Sequence, residues 1–404
     1  MNRLWKMNLV TKILVAFVIA IIVGIIAGPG AEVVKPLGDL FLRLIKFIIV
    51  PLVLASLVTG VASTGDIKKL GRMGGKTIVY YLATTALAVI LGLLIATVLS
   101  PGSGLELKPE AAKTEAAEAP GIIDTLLAIV PTNPIAALVQ GDMLPIIFFA
   151  IFLGIGISMV GQKAQAVQTW FEQFAEVMYK ITNIVMKFAP IGVFGLVAPI
   201  VGKHGLAVLL PLSKVIFGVA IGCILHAAII YSLSVKLFAK MNPLTFFKGI
   251  APAGMIAFST SSSSGTLPVT IQNVENNLGV SKRVSSFVLP LGATVNMDGT
   301  ALYQGVCALF VAQFYGMDLS FAQHMTIVLT ATLASIGTAG VPGAGLIMLT
   351  MVLTSVGLPL EGIALIAGVD RILDMFRTSV NVIGDASAAV VVAASEGELK
   401  GRRG

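Results

Sequence analysis

The segment 370–385, DRILDMFRTSVNVIGD, places Asp370, Asp374, Arg377, Thr378, Asn381 and Asp385 mostly three or four residues apart. In a helix they form one continuous polar face, and the intervening Ile372, Leu373, Val380, Val382 and Ile383 are apolar. Arginine offers a planar fork fitted to a carboxylate, and Asp374, one turn away, can hold an ammonium group. Asp385 and Asn381, with Asn296 and Asp298 upstream, are hard oxygen donors that suit a small cation, as do backbone carbonyls where a helix is broken. A fixed cation, a fixed anion and free N–H groups at helix ends together match an amino acid with an acidic side chain. Two plainer readings compete: a solvated face of a soluble helix, and a structural Asp374–Arg377 ion pair that holds helices together.

Composition decides between them. The chain has 404 residues, 56% hydrophobic and 12% charged, where a soluble protein carries about a quarter charged. Long apolar runs recur, as at 13–28 and 78–99, and a bilayer-spanning helix needs about 20 residues. The chain therefore reads as a polytopic membrane protein. Its low aromatic content, 7%, and the lack of short alternating segments point to helices rather than a barrel. An ionisable residue within a bilayer costs at least about 2.5–3.5 kcal/mol on insertion. A solvated face is thus disfavoured in so apolar a chain, and so many polar groups together favour a site over packing alone. Cys223 and Cys307 lie in apolar segments without metal or redox spacing and read as packing thiols. There is no GxSxG, and His204, His226 and His324 lie in unrelated segments, so a serine-nucleophile enzyme is not indicated. A channel would also need polar residues in its spans, but it leaves the Arg/Asp pair unexplained.

The net charge is +7. Lys6 and Lys12 precede the first apolar run, which lacks a cleavage pattern and reads as a transmembrane helix. Lys68, Lys69, Arg72 and Lys76, then Lys236, Lys240 and Lys248, then Lys282 and Arg283, and finally Lys400, Arg402 and Arg403 mark further basic loops, whereas 105–120 is net acidic. The positive-inside rule puts both termini in the cytoplasm, in an inner or plasma membrane, with the acidic loop outside. The basic excess requires no nucleic acid.

These residues must be held by membrane elements. Apolar spans fall at about 9–28, 36–63, 75–100, 121–160, 165–200 and 205–235, with Pro51, Pro131, Pro134 and Pro190 read as kinks. Two later apolar segments are interrupted. FSTSSSSGTLP (258–268) breaks about 244–278, and SIGTAGVPGAG (335–345) breaks about 320–357. Irregular backbone at membrane depth survives only when buried in protein or lining a cavity. Both segments therefore read as re-entrant hairpins. Lys248, Lys282 and Arg283 flank the first, so it enters from the cytoplasm, and the second enters from outside. The serine run lines a binding cavity, and Gly265 and Pro268 allow the turn. Each hairpin precedes a span marked by Asn and Asp, NMDGT (296–300) and then 370–385, a faint internal repeat.

With YYLATT (80–85), IVPTNP (129–134), FAPIGVFGL (188–196), SSSSGTLP (261–268), LPLGATVNMDGTALYQG (289–305), SIGTAGVPGAG (335–345) and DRILDMFRTSVNVIGD (370–385), the chain resembles the dicarboxylate/amino acid:cation symporter family over essentially its whole length. That family includes archaeal aspartate transporters and mammalian excitatory amino acid transporters. An archaeal member is itself a type example of inverted repeats with broken helices. The resemblance implies an all-α polytopic membrane protein: eight transmembrane helices plus two re-entrant helical hairpins, an inverted-repeat elevator transporter assembled as a homotrimer in lipid. It implies a scaffold of 1–63 (spans one and two) and 121–200 (spans four and five). A transport domain follows from 75–100 (span three) and 205–395 (span six, hairpin one, span seven, hairpin two, span eight), with a gate around 340–345.

For the site, the resemblance implies an acidic amino acid substrate, L-aspartate and/or L-glutamate. Asp374 would hold the ammonium, Arg377 the side-chain carboxylate, and Asn381 and Thr378 the main-chain carboxylate. Ser261, Ser263, Thr300, Val341 and Gly345 would complete the pocket. Sodium would be the coupling ion. Its ligands would come from Gly292, Asn296, Asn381 and Asp385; from Thr294, Ser335, Ile336 and Thr338; and from Tyr81, Thr84, Thr85, Asn296 and Asp298. The chain also departs from the family pattern. Archaeal members carry an arginine where Ser261 stands and mammalian members carry one where Met375 stands, so Arg371 is expected to take over part of that role. Gln304 replaces a glutamate linked with proton coupling in the mammalian branch. Some bacterial relatives are proton-driven, so a proton can act instead of sodium or beside it. Arg377 speaks against neutral amino acids, and Asp374 against C4-dicarboxylates, which lack an amine.

Overall fold

The structure, a computed structural model, describes residues 9–62, 67–103, 127, 129–336 and 344–400. Its regular structure is helical, apart from an isolated antiparallel bridge between Val280 and Leu399. In hydrocarbon every backbone polar group must find a partner within the protein, and a helix provides that locally. Long apolar runs therefore fold as α1 (Leu9–Ala27), α2 (Lys35–Ala62) and α3 (Ile67–Leu99). Next come α4 (Pro134–Gln140), α5 (Met143–Val160), α6 (Gln165–Lys187), α7 (Ala189–His204) and α8 (Leu209–His226). A π-turn (Ala227–Tyr231) leads into α9 (Ser232–Phe238). The remainder is α10 (Pro243–Thr260), α11 (Ser263–Asn276), α12 (Lys282–Val295), α13 (Asp298–Phe314), α14 (Phe321–Ala334), α15 (Ala344–Ser355) and α16 (Ile363–Glu396). Several helical stretches are long and apolar enough to cross a bilayer, α3 and α16 among them. The protein is an all-α, multi-pass membrane protein.

Two expected spans are each divided. In 121–160 the chain turns at Gly141, which has φ 78°, so α4 and α5 are separate helices. Pro134 opens α4 rather than kinking it, and the Asn133 side chain caps that helix by accepting from the Ile135 and Ala136 N–H groups. In 165–200 the break falls at Phe188, ahead of Pro190.

Packing falls into two groups. Helices α1, α2, α5, α6 and α7 pack mainly on one another, and α3, α8 and α10 to α16 form the other group around α16 and α13. The burial pattern is that of a protein dissolved in lipid. On α3 the exposed side chains include Val79, Leu87, Ile90, Leu94 and Val98, an apolar stripe at helical spacing. On α16 the buried set includes Asp370, Asp374, Arg377, Thr378, Asn381 and Asp385.

A short strap closes one end of the second group. After α16, the Lys400 N–H donates to the Gly279 carbonyl and the Ser281 N–H to that of Glu398. Glu398 accepts from Ser281 Oγ and Arg283, while Glu396 pairs with Arg72 and Lys76 at the start of α3. One end each of α3, α12 and α16 is thereby tied together.

The crossing of α3 on α13 is close because Gly92 lacks a side chain. A methyl there would lie 2.3 Å from the Leu302 carbonyl oxygen. Gly92→Ala is therefore expected to lower the thermal midpoint in detergent, overpacking costing about 1–3 kcal/mol. In an unhindered helix the same change is favourable by up to about 1 kcal/mol, so an unchanged or raised midpoint would mean the helices cross less closely.

Candidate functional site

The polar face of α16 turns inward, and its centre is Arg377, with 0% exposure. One guanidinium nitrogen, Nη1, lies 3.0 Å from Asp370 Oδ1, and Nη2 lies 2.8 Å from Asp374 Oδ1. The guanidinium carbon stands 4.1 Å from the ring centroid of Tyr303 on α13, a cation–π contact. A Cβ on Gly345 would fall 2.6 Å from Nη1, so the start of α15 lies against the same group. Arg377 Nε has no partner. Thr378 Oγ1 sits 3.5 Å from Asp374 Oδ1.

A second cluster forms where α12 stops and α13 begins. Asn296 leaves the helix with φ −91° and ψ 99°. Its Nδ2 donates to the Asn381 carbonyl at 3.1 Å and to Asp385 Oδ1 at 2.9 Å, while its Oδ1 is buried without a partner. Asp298 is wholly buried: Oδ1 accepts from Thr85 Oγ1 at 2.6 Å, and Oδ2 from Tyr231 at 2.8 Å, with His226 Nε2 at 3.2 Å. Asn381 Oδ1 accepts from the Gly299 N–H at 2.8 Å, and its Nδ2 is 3.4 Å from Thr300 Oγ1. A Cβ on Gly292 would lie 2.5 Å from both Asp385 Oδ1 and the Tyr81 hydroxyl, which itself donates to the Val288 carbonyl. Tyr81, Thr85, Gly292, Asn296, Asp298, Asn381 and Asp385 are therefore brought into one network.

The tip between α10 and α11 explains the serine run. Ser261 adopts a left-handed conformation, φ 52° and ψ 40°, that ends α10. Ser262 then caps α11 by accepting from the Gly265 N–H at 3.0 Å. Ser263 is buried, and Ser261 Oγ is buried without a partner. Arg371, on α16, reaches this tip, with Nη2 3.4 Å from the Ser259 carbonyl.

Other expected ligands are less engaged. Hydroxyls of Thr84, Thr294 and Ser335 donate to carbonyls of their own helices, those of Tyr81, Leu291 and Thr332, and the Ile336 N–H donates to Leu333. Thr338 and Val341 lie outside the described residues, as does most of the expected gate, 340–343. Among the described residues no group of three His, Cys, Asp or Glu could hold a metal ion.

The sequence reading gave no role to Asp370, Tyr303, Tyr231 or His226. The histidines lie in separate segments as expected, and the fold sets one of them, His226, on Asp298. Its linear signal was a polar ring inside an apolar span, which by itself marks a functional position.

Buried polar atoms are nearly always partnered. Here Ser261 Oγ, Asn296 Oδ1 and Arg377 Nε are not. Two hydroxyl or amide oxygens and one charged donor are thus left over beside the paired carboxylates, which makes this cluster the candidate site.

Comparison with known proteins identifies the bundle. The model of the sodium:dicarboxylate symporter family matches residues 9–395. The chain is 41% identical to the proton/sodium-glutamate symport protein of Geobacillus stearothermophilus, over 99% of this chain and 97% of that one. It is 40% identical to the proton/glutamate-aspartate symporter of Escherichia coli (strain K12), over 96% and 93%. A C4-dicarboxylate transport protein of Bacillus subtilis (strain 168) is 37% identical, over 98% and 95%. The chain belongs to the sodium:dicarboxylate symporter family, a family of transporters and not of enzymes.

Removing Arg377 would strand two buried carboxylates. Arg377→Met is expected to destabilise the protein by about 3–5 kcal/mol, the usual cost of breaking a buried pair from one side. Adding Asp370→Asn should restore part of the loss. Equal thermal midpoints for the single and double variants would show that Asp370 and Arg377 do not depend on each other.

Proposed function

We propose that the protein is a secondary active symporter that carries an acidic amino acid, L-aspartate and/or L-glutamate, together with sodium. The observation that carries this reading is Arg377, buried and held by Asp370 and Asp374 beside the oxygens of Asn296, Asp298 and Asp385. The substrate's side-chain carboxylate takes the place of Asp374 on the guanidinium, and Asp374, released, takes the ammonium. Arg377 keeps two carboxylate partners through the exchange, and the released Asp374 gains a cationic one. Thr378 and Asn381 take the main-chain carboxylate, and Ser261, Ser263, Thr300, Val341 and Gly345 close the pocket. Asn296 Oδ1, buried and unpartnered next to Asp385, suits a cation that substrate binding brings in. Thr294, Ser335, Ile336 and Thr338 would form a further cation position at the second interruption.

Eight spans and two hairpins account for the helix order: α1, α2, α3, α4 with α5, α6 with α7, α8 with α9, α12 with α13, and α16, with α10–α11 and α14–α15 as re-entrant hairpins. The two packing groups support a scaffold and a transport domain that move relative to each other as an elevator in a homotrimer. Basic residues near 72–76, 236–248 and 282–283 favour cytoplasmic termini.

Two relatives' names support a second reading, proton coupling or a C4-dicarboxylate substrate. Uptake of radiolabelled L-aspartate, L-glutamate and succinate into liposomes separates them, under an imposed sodium or proton gradient. Sodium-driven accumulation of the amino acids is expected. Accumulation driven only by protons would remove sodium, and preference for succinate would remove the ammonium role of Asp374. Asp374→Asn should reduce amino acid uptake at least about 30-fold, since truncating one side of a buried charged contact costs 2 kcal/mol or more.

A further inference from the structure

We infer that His226 and Tyr231 are a positioning pair that fixes the Asp298 carboxylate for cation binding. The inference rests on the reading of Asp298 as a cation ligand. Both side chains have 0% exposure, and both face the same oxygen, Asp298 Oδ2, at 3.2 and 2.8 Å. Their rings meet edge to face, with centroids 5.0 Å apart and an interplanar angle of 86°.

The backbone explains how they converge. Residues five apart in an α-helix point about 140° away from each other, at 3.6 residues per turn. Here the helix widens directly after His226 into the π-turn Ala227–Tyr231. An i→i+5 turn brings positions five apart toward one side, and such turns concentrate at functional sites. The close fit extends to the neighbouring helix. Tyr231 also lies 3.3 Å from the Val380 carbonyl, and a Cβ on Gly384 would fall 2.5 Å from its hydroxyl and 2.6 Å from Asn296 Nδ2. Glycine at 384 is what lets α16 approach both groups.

An ionised carboxylate has about four acceptor positions. Thr85, Tyr231 and His226 take three of those on Asp298. The remaining one is aimed by the other three, so the cation meets an oxygen already in place. Because the carboxylate only accepts, the imidazole hydrogen sits on Nε2. The other nitrogen, Nδ1, is buried with no partner, so the ring's single polar contact is with Asp298. Residues that orient a metal ligand typically change metal affinity 10–100-fold when removed.

The test titrates sodium chloride, at constant ionic strength with choline chloride, against the purified full-length protein without substrate. Thermal stabilisation is the readout. His226→Ala should raise the sodium midpoint about 10–100-fold while reaching the wild-type stabilisation at saturation. His226→Gln, which retains an N–H donor, should recover most of the shift. Tyr231→Phe removes one hydroxyl, preserves the ring, and should raise the midpoint about 10-fold; it carries the test if His226→Ala does not fold. A wild-type midpoint in these variants, or a lower melting temperature at every sodium concentration without a shifted midpoint, would overturn the inference. A wild-type protein indifferent to sodium would instead remove the cation reading of Asp298, and that result appears before any variant is made.

Discussion

A guanidinium with no exposure, in a protein dissolved in lipid, is the constraint around which this structure is arranged. Unpaired it is untenable, so Asp370 and Asp374 must flank it on the same helix and Tyr303 must cover it. The backbones of α13 and α15 can then approach only where Gly299 and Gly345 leave room, since a Cβ at either would meet Arg377. Arg377 therefore limits the approach of two helices to α16, its guanidinium that of α15 and its backbone that of α13. Two carboxylates, Asp370 and Asp374, share that one guanidinium.

The cluster of Asn296, Asp298 and Asp385 follows the same logic with weaker groups. The helix breaks at Asn296 and Met297, where Asn296 Oδ1 is buried without a partner. Asp298 is held by Thr85, Tyr231 and His226, and Asp385 by Asn296. The Arg377 and Asn296 clusters share α16, where Asn381 lies one turn from Arg377 and bonds to the start of α13.

Much of this was legible in the sequence. The spacing of 370–385 gave the polar face, and apolar composition required that face to point inward, as Arg377 and Asp385 do. The serine run announced a break, and the structure assigns its members distinct tasks: Ser261 turns and Ser262 caps. What stayed hidden depends on contacts across long sequence separations. Asp370 was visible as polar, but which aspartate Arg377 would share was not. His226 stood among apolar residues 72 positions before Asp298, and its π-turn has no sequence signature. The division of 165–200 at Phe188 does not show in hydropathy, because the segment is apolar on both sides of the break.

The central claim is that Arg377 and Asp374 together recognise a carboxylate and an ammonium on one small molecule. Calorimetric titration of the purified protein with L-aspartate, succinate and L-asparagine, in the presence of the coupling ion, tests it most directly. Succinate lacks the amine and L-asparagine the side-chain charge, so each leaves one buried protein charge unanswered. L-Aspartate should bind at least about 100-fold more tightly than either, equivalent to about 2.7 kcal/mol. Succinate binding as tightly as L-aspartate would contradict the ammonium role of Asp374, and L-asparagine doing so would contradict the carboxylate role of Arg377.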